Sequence, residues 1–148
     1  MSTPESLSIV SDGGAFDGCT AMLSAAESIV AASGIIVPTN VQTIKLPREC
    51  REVMVFFAVT GSHALNNANL DLYLEVTPNP DATTPRWFRQ SPITVAVLGA
   101  TTCDTDPDAS QRLDISHIRG IRLGAVNNKD AAKAVTVQAY LFWRPYPA

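Results

Sequence analysis

Apolar side chains along this chain recur with a period of two, and from Cys50 onward they gather in short runs parted by Gly, Pro, Asn and Asp. That pattern marks a mainly β chain. Residues 53–60 place Val53, Val55, Phe57 and Val59 on one side and Met54, Phe56 and Ala58 on the other. Two apolar sides predict a central strand covered on both faces. Residues 70–77 alternate cleanly, with Leu70, Leu72, Leu74 and Val76 one way and Asp71, Tyr73, Glu75 and Thr77 the other. This strand is expected to pack its leucines on the core and turn its acids to solvent or to a neighbour.

Three prolines in residues 78–85 make that stretch a loop. Residues 86–90 read as a short edge strand and 93–98 as another, rich in β-branched side chains. Residues 113–118 and 121–126 read as two short strands, or as one strand broken at Gly120. A polar tip at 127–130 followed by the alternating run 135–143 predicts a hairpin, with Val135, Val137, Ala139, Leu141 and Trp143 on one face. Residues 1–46 differ, being rich in Ala and Ser. Ser24 and Glu27 match a capping box, and Met22, Ala25, Ala26, Ile29 and Val30 share a helical face. The competing reading is an extended arm that pairs as strands, since 35–37 and 41–46 both have strand character. The expected organisation is an N-terminal arm over 1–46, with a short helix or first strands, and a β-sandwich over 47–148. Six to eight short strands point to two packed antiparallel sheets, a sandwich or jelly roll. An α/β fold would need helical stretches of about 10 to 15 residues between strands, and none follows Cys50.

Length and composition sharpen this picture. A chain of 148 residues is enough for one core. Only 17% of residues are charged, which predicts surface hidden against identical or different neighbours, because interface cores are depleted in charge. Net charge is −3 and the cations are scattered singly, which excludes a nucleic-acid partner, whose phosphates require clustered cations. The first ten residues lack the basic and apolar segments of a secretory leader, and the longest apolar run, 53–59, is far below the ~20 residues that span a bilayer. Synthesis in the cytoplasm without membrane insertion is the expectation. Cys19, Cys50 and Cys103 have no CxxC spacing and are expected as reduced, buried thiols.

Little in the sequence speaks for catalysis. His63 and His117 are the two histidines, and neither a nucleophile elbow nor an acid–base pair is legible, so the chain is expected to be no enzyme and to need no cofactor. Asp104, Asp106 and Asp108 offer the oxygen ligands that calcium prefers. The EF-hand pattern fails, because Ala109 stands where the turn glycine belongs and Ile115 where the bidentate glutamate belongs, so a solvated acidic turn is expected. Asp71 and Glu75, as a carboxylate pair for glycoside hydrolysis, lie on a polar sheet face instead of flanking a cleft. Among the aromatics Tyr73, Trp87, Phe88, Tyr140, Trp143 and Tyr146, Trp143 is expected in the core. Trp87, with Arg86 and Arg89 around it in a proline-flanked segment, is expected to be exposed and to meet a partner.

Three segments carry a resemblance: REVMVFFAVTG at 51–61, LDLYLEVTPNP at 70–80, and RGIRLGAVNNKDAAKAVTVQAYLFWRP at 119–145. Over 51–145 the chain resembles the capsid decoration, or cement, proteins of tailed bacteriophages. The resemblance implies a jelly-roll-like domain on the outer capsid surface of the virion. Such a domain is often a trimer at local three-fold axes, with the major capsid protein and copies of itself as partners. It assigns no residue roles. Residues 1–34 would then act as an arm that orders on docking. Two other readings accompany it: a carbohydrate-binding or adhesion module on the same fold, and a neck or tail component.

Overall fold

The computed structural model describes residues 8–9, 18–48, 50–61, 69–96, 102–104, 111–114 and 117–144. Among these the chain is all β. Its strands are β1 (Ser8–Ile9), β2 (Gly18–Ala21), β3 (Glu27–Ile29), β4 (Gly34–Ile36), β5 (Ile44–Lys45), β6 (Glu52–Gly61) and β7 (Asn69–Thr77). They continue as β8 (Phe88–Arg89), β9 (Ile93–Ala96), β10 (Thr102–Asp104), β11 (Gln111–Asp114), β12 (Gly120–Asn128) and β13 (Val135–Arg144).

Every pairing is antiparallel, and the strands divide between two sheets. One runs β1-β2-β13-β6-β10, with β3 also on β13 and β11 also on β6; the other runs β4-β12-β7-β8, with β5 also on β12 and β9 also on β7. The pairs β2/β3, β4/β5, β8/β9 and β10/β11 each lie along one neighbour and act as single interrupted strands. Counted that way, and with β1 as an addition at the edge, eight strands lie in the order first-eighth-third-sixth in one sheet and second-seventh-fourth-fifth in the other. That is the strand order of a jelly roll.

Alternation explains how the two sheets close on each other. Val53, Val55, Phe57 and Val59 of β6, with Val135, Val137, Ala139, Leu141 and Trp143 of β13, face Leu70, Leu72, Leu74 and Val76 of β7 and Ile121, Leu123 and Val126 of β12. These residues form one buried cluster. Trp143 sits in it as expected, 2% exposed, but its indole Nε1–H has no hydrogen-bond acceptor among the described residues. An orphan donor of this kind costs about 1–3 kcal/mol, offset here by the area the ring buries.

Several expectations are corrected by the chain's path. Residues 24–30 do not form a helix: Glu27–Ile29 is strand β3, paired with Val135–Val137. The Glu27 carboxylate, instead of capping its own segment, accepts the backbone N–H groups of Thr39 and Asn40 at 2.8 and 2.7 Å. The hairpin expected from 127–143 is absent, because β12 and β13 lie in different sheets. The intervening loop is folded by side chains into a crossing: Asn128 Nδ2 donates to the carbonyls of Ile29, Val30 and Lys133, and Asp130 Oδ1 accepts the N–H groups of Ala132 and Lys133. Likewise Gln111–Asp114 pairs with β6 while Gly120–Asn128 pairs with β7, so the interruption before Gly120 is a passage between sheets. Finally, β6 is central but not covered on both faces, since Met54, Phe56 and Ala58 are only half-buried.

Candidate functional site

The two outer faces of the sandwich differ in chemistry. On β7 the alternation sends Asp71, Tyr73, Glu75 and Thr77 outward, and the antiparallel register sets Arg122 of β12 and Arg89 of β8 on either side of Glu75. Arg122 donates Nε and Nη2 to Glu75 Oε1 at 2.9 and 2.8 Å, and Arg89 donates Nε and Nη2 to Oε2, each at 3.0 Å. The carboxylate is thus held by four charge-assisted bonds, with one guanidinium on each oxygen. Gly124 makes room for it. A β-bulge shifts the register between Leu123 and Ala125, and a Cβ at Gly124 would fall 2.0 Å from Glu75 Oε1.

Aromatic rings extend this cluster. The Arg122 guanidinium stacks 4.0 Å from the centre of the Trp87 ring, and Arg89 lies 5.4 Å from that of Tyr73. Farther along β7, Asp71 accepts the Thr94 hydroxyl at 2.8 Å and pairs with Lys129 Nζ at 2.8 Å. The hydrogen bond to Asp71, and then its charge, raise the Lys129 pKa above the ordinary 10.5. Asp71 and Glu75 are therefore buried beneath their partners, 4% and 6% exposed, instead of meeting solvent or another chain.

Trp87, expected as an exposed interface residue, is half-buried and has one ring face taken by Arg122. Arg89 is in the same network through Glu75, while Arg86 lies exposed beside them. Sequence reading missed the network because its members come from β7, β8, β9 and β12, which are far apart along the chain. The only local signal was acids alternating with leucines on one strand and arginines flanking a tryptophan on another.

The opposite face is apolar at its centre on β6 and β13, while Glu52, Thr136 and Gln138 share that side of the two strands and the register sets Arg112 opposite Met54 and Asp104 opposite Ala58. Cross-strand pairs Phe56 with Tyr140 and Met54 with Phe142, and the Phe56 and Phe142 rings meet edge to face at 5.4 Å between centroids. Tyr140 is 39% exposed; Met54, Phe56, Ala58 and Phe142 are partly exposed, each less than Tyr140, and Cys19 and Ala21 of β2 continue the surface beside Phe142 and Tyr140. Burial pushes the Cys19 thiol pKa up, which keeps it protonated and apolar at neutral pH. The two apolar sides of residues 53–59 are the sequence signal for this face, a pattern that equally predicts burial.

Of the remaining candidates, Cys50 is fully buried, with its thiol 3.8 Å from the Glu52 carbonyl, and His117 is exposed in a turn. Asp104 ends β10 opposite Ala58, whereas Asp106, Asp108 and His63 lie outside the described residues, as does the Cys103 side chain. Among the described residues, no three His, Cys, Asp or Glu side chains gather as a metal site, and no helix is long and apolar enough to cross a membrane. No protein-family model and no curated protein matches the chain.

Proposed function

We propose that this chain is a non-enzymatic virion structural protein of the capsid decoration type. In this reading the outer face of β6 and β13 rests on the shell built by the major capsid protein. The observation that carries it is the contrast between the two faces of the jelly roll. The charges of the β7/β12 face are spent on one another, while Met54, Phe56, Tyr140 and Phe142 form a contiguous apolar surface backed by the core. Contiguous exposed apolar patches mark protein contact sites, since burying them returns about 25 cal/mol for each Å² removed from water. A rigid sheet also suits the task, because a pre-formed surface loses little conformational freedom on docking. Self-association into a trimer at local three-fold axes belongs to the same reading.

Jelly rolls serve many functions, so location is the deciding property. The test is immunogold labelling of purified particles of the phage that encodes the chain, alongside light scattering of the isolated protein. Label spread over the capsid and a trimeric native mass are expected. Label confined to the neck or tail, or absent from particles, overturns the assignment to the capsid.

A further inference from the structure

A third surface lies at the end of the β7/β12 sheet, away from both faces. There Arg119 ties two strands together: its N–H donates to the Thr77 carbonyl at 3.0 Å and its carbonyl accepts Leu46 N–H at 2.8 Å. The loop after β7 folds back over this junction through an Asx turn, with Asp81 N–H donating to Asn79 Oδ1 at 3.2 Å and Ala82 N–H to the Asn79 carbonyl at 3.4 Å. Gly120 fixes how closely the loop approaches, since a Cβ there would lie 2.8 Å from Pro80 Cβ and 2.9 Å from Thr77 Cγ2. Between loop and junction is a cleft of about 260 Å³, lined among the described residues by Lys45, Arg48 and Arg119 as cations and by Asp81 as an acid.

The charges are not matched in number. Asp81 is taken by Lys45 at 2.5 Å, in a pair whose side chains are 64% and 70% exposed. Such a pair is weak and readily exchanged. Arg119 donates Nη1 to the Ile118 carbonyl at 2.9 Å, which orients its guanidinium and leaves the other N–H groups available, while Arg48 lies exposed at the rim. Among the described lining residues three cations stand against one carboxylate, an excess of positive charge in a chain whose net charge is −3. Guanidinium groups match the geometry of planar carboxylate and of phosphate oxygens.

We propose that this cleft is an oxyanion-binding site that takes a phosphate or carboxylate group between Arg119 and Arg48, with Lys45 turning from Asp81 to the bound anion. The proposal is independent of the capsid reading, because none of these side chains is on the β6/β13 face.

The experiment is a titration of the full chain at constant ionic strength, made with chloride, following arginine Nε–Hε and lysine signals by NMR. Inorganic phosphate is the probe in one arm and acetate in the other. Saturable shifts of Arg119 and Arg48 are expected in at least one arm, and the arm that saturates at lower concentration names the group. The double variant Arg48→Gln, Arg119→Gln should weaken that binding at least tenfold, while an unchanged melting temperature in anion-free buffer shows that the fold is kept. Shifts that stay linear in both arms, or saturation that persists in the double variant, overturn the proposal.

Discussion

The side-chain amide of Gln138 takes the place of a missing strand residue opposite Leu23. Its Nε2 donates to the Leu23 carbonyl and its Oε1 accepts the Leu23 N–H, both at 3.1 Å. Between β2, which ends at Ala21, and β3, which begins at Glu27, the chain leaves the ladder of β13. Leu23 is fully buried there, so its backbone groups must be satisfied from within the protein. Gln138 also accepts Ala139 N–H at 2.9 Å, which orients the amide.

Replacing Gln138 by Leu removes both partners of Leu23 while keeping the bulk. A loss of about 1–3 kcal/mol is expected in urea unfolding, the cost of buried groups left unsatisfied. Gln138→Glu should also destabilise, because a carboxylate accepts from Leu23 N–H but has no hydrogen to give the Leu23 carbonyl. A variant as stable as the native chain would show that the edge between β2 and β3 is held by other means.

Gly124→Ala places a methyl group where the Glu75 carboxylate now lies. Expelling the carboxylate frees Arg122 and Arg89, and the expected cost is about 1–3 kcal/mol, typical of overpacking. Combined with Glu75→Ala, the same substitution should cost much less than the sum of the two, which a double-mutant cycle reads directly. Additive effects would contradict the contact.

Lys129 holds its proton more tightly in the folded chain than an ordinary lysine does, by virtue of Asp71. A raised folded pKa stabilises the fold fully below the unfolded value, and that contribution is lost as pH rises through the folded value. The Lys129 midpoint, followed by NMR at its ε-carbon, is expected above 10.5, and Asp71→Asn should bring it back toward that value. As pH climbs past 10.5, native stability should fall more steeply than that of the variant. An unmoved midpoint would contradict the pairing.

Trp87→Ala removes the ring under the Arg122 guanidinium. The stacking contributes about 0.5–1 kcal/mol at a surface position, so a loss of that order is expected in thermal unfolding. Because the same cation occupies one ring face, only the other face of Trp87 is left for a sugar ring. Glycan-array binding that depends on Trp87 would instead favour the carbohydrate-binding alternative.

The sheet fold was legible because it rests on local alternation. Residues 70–77 and 135–143 each bury every second side chain whatever the strand order. What was not legible depends on partners distant in sequence. Ser24 and Glu27 fit a helical cap by spacing alone, yet Glu27 meets the backbone of Thr39 and Asn40 only once β3 has paired with β13. The hairpin expected at 127–130 failed for the same reason, since Asn128 bonds to Ile29 and Val30 and carries the chain across to the other sheet. On the candidate surfaces, Trp87 and Arg89 were noticed from the sequence, but Glu75, the group that links them to Arg122, read as a solvated acid. Met54 and Phe56 read as buried, because a partly exposed apolar residue has the same sequence pattern as one facing the core.

Docking of the β6/β13 face on the capsid, as proposed above, can be read by co-sedimentation with capsids assembled without the chain. The native chain and Trp87→Ala are expected to pellet with the capsids. Phe56→Asp, which puts a charge at the centre of the apolar face while leaving the inner side of β6 untouched, should bind at least tenfold more weakly, by analogy with the loss of an anchor at an interface centre. Equal pelleting of the native chain and a folded Phe56→Asp, or no pelleting of the native chain, would contradict the account.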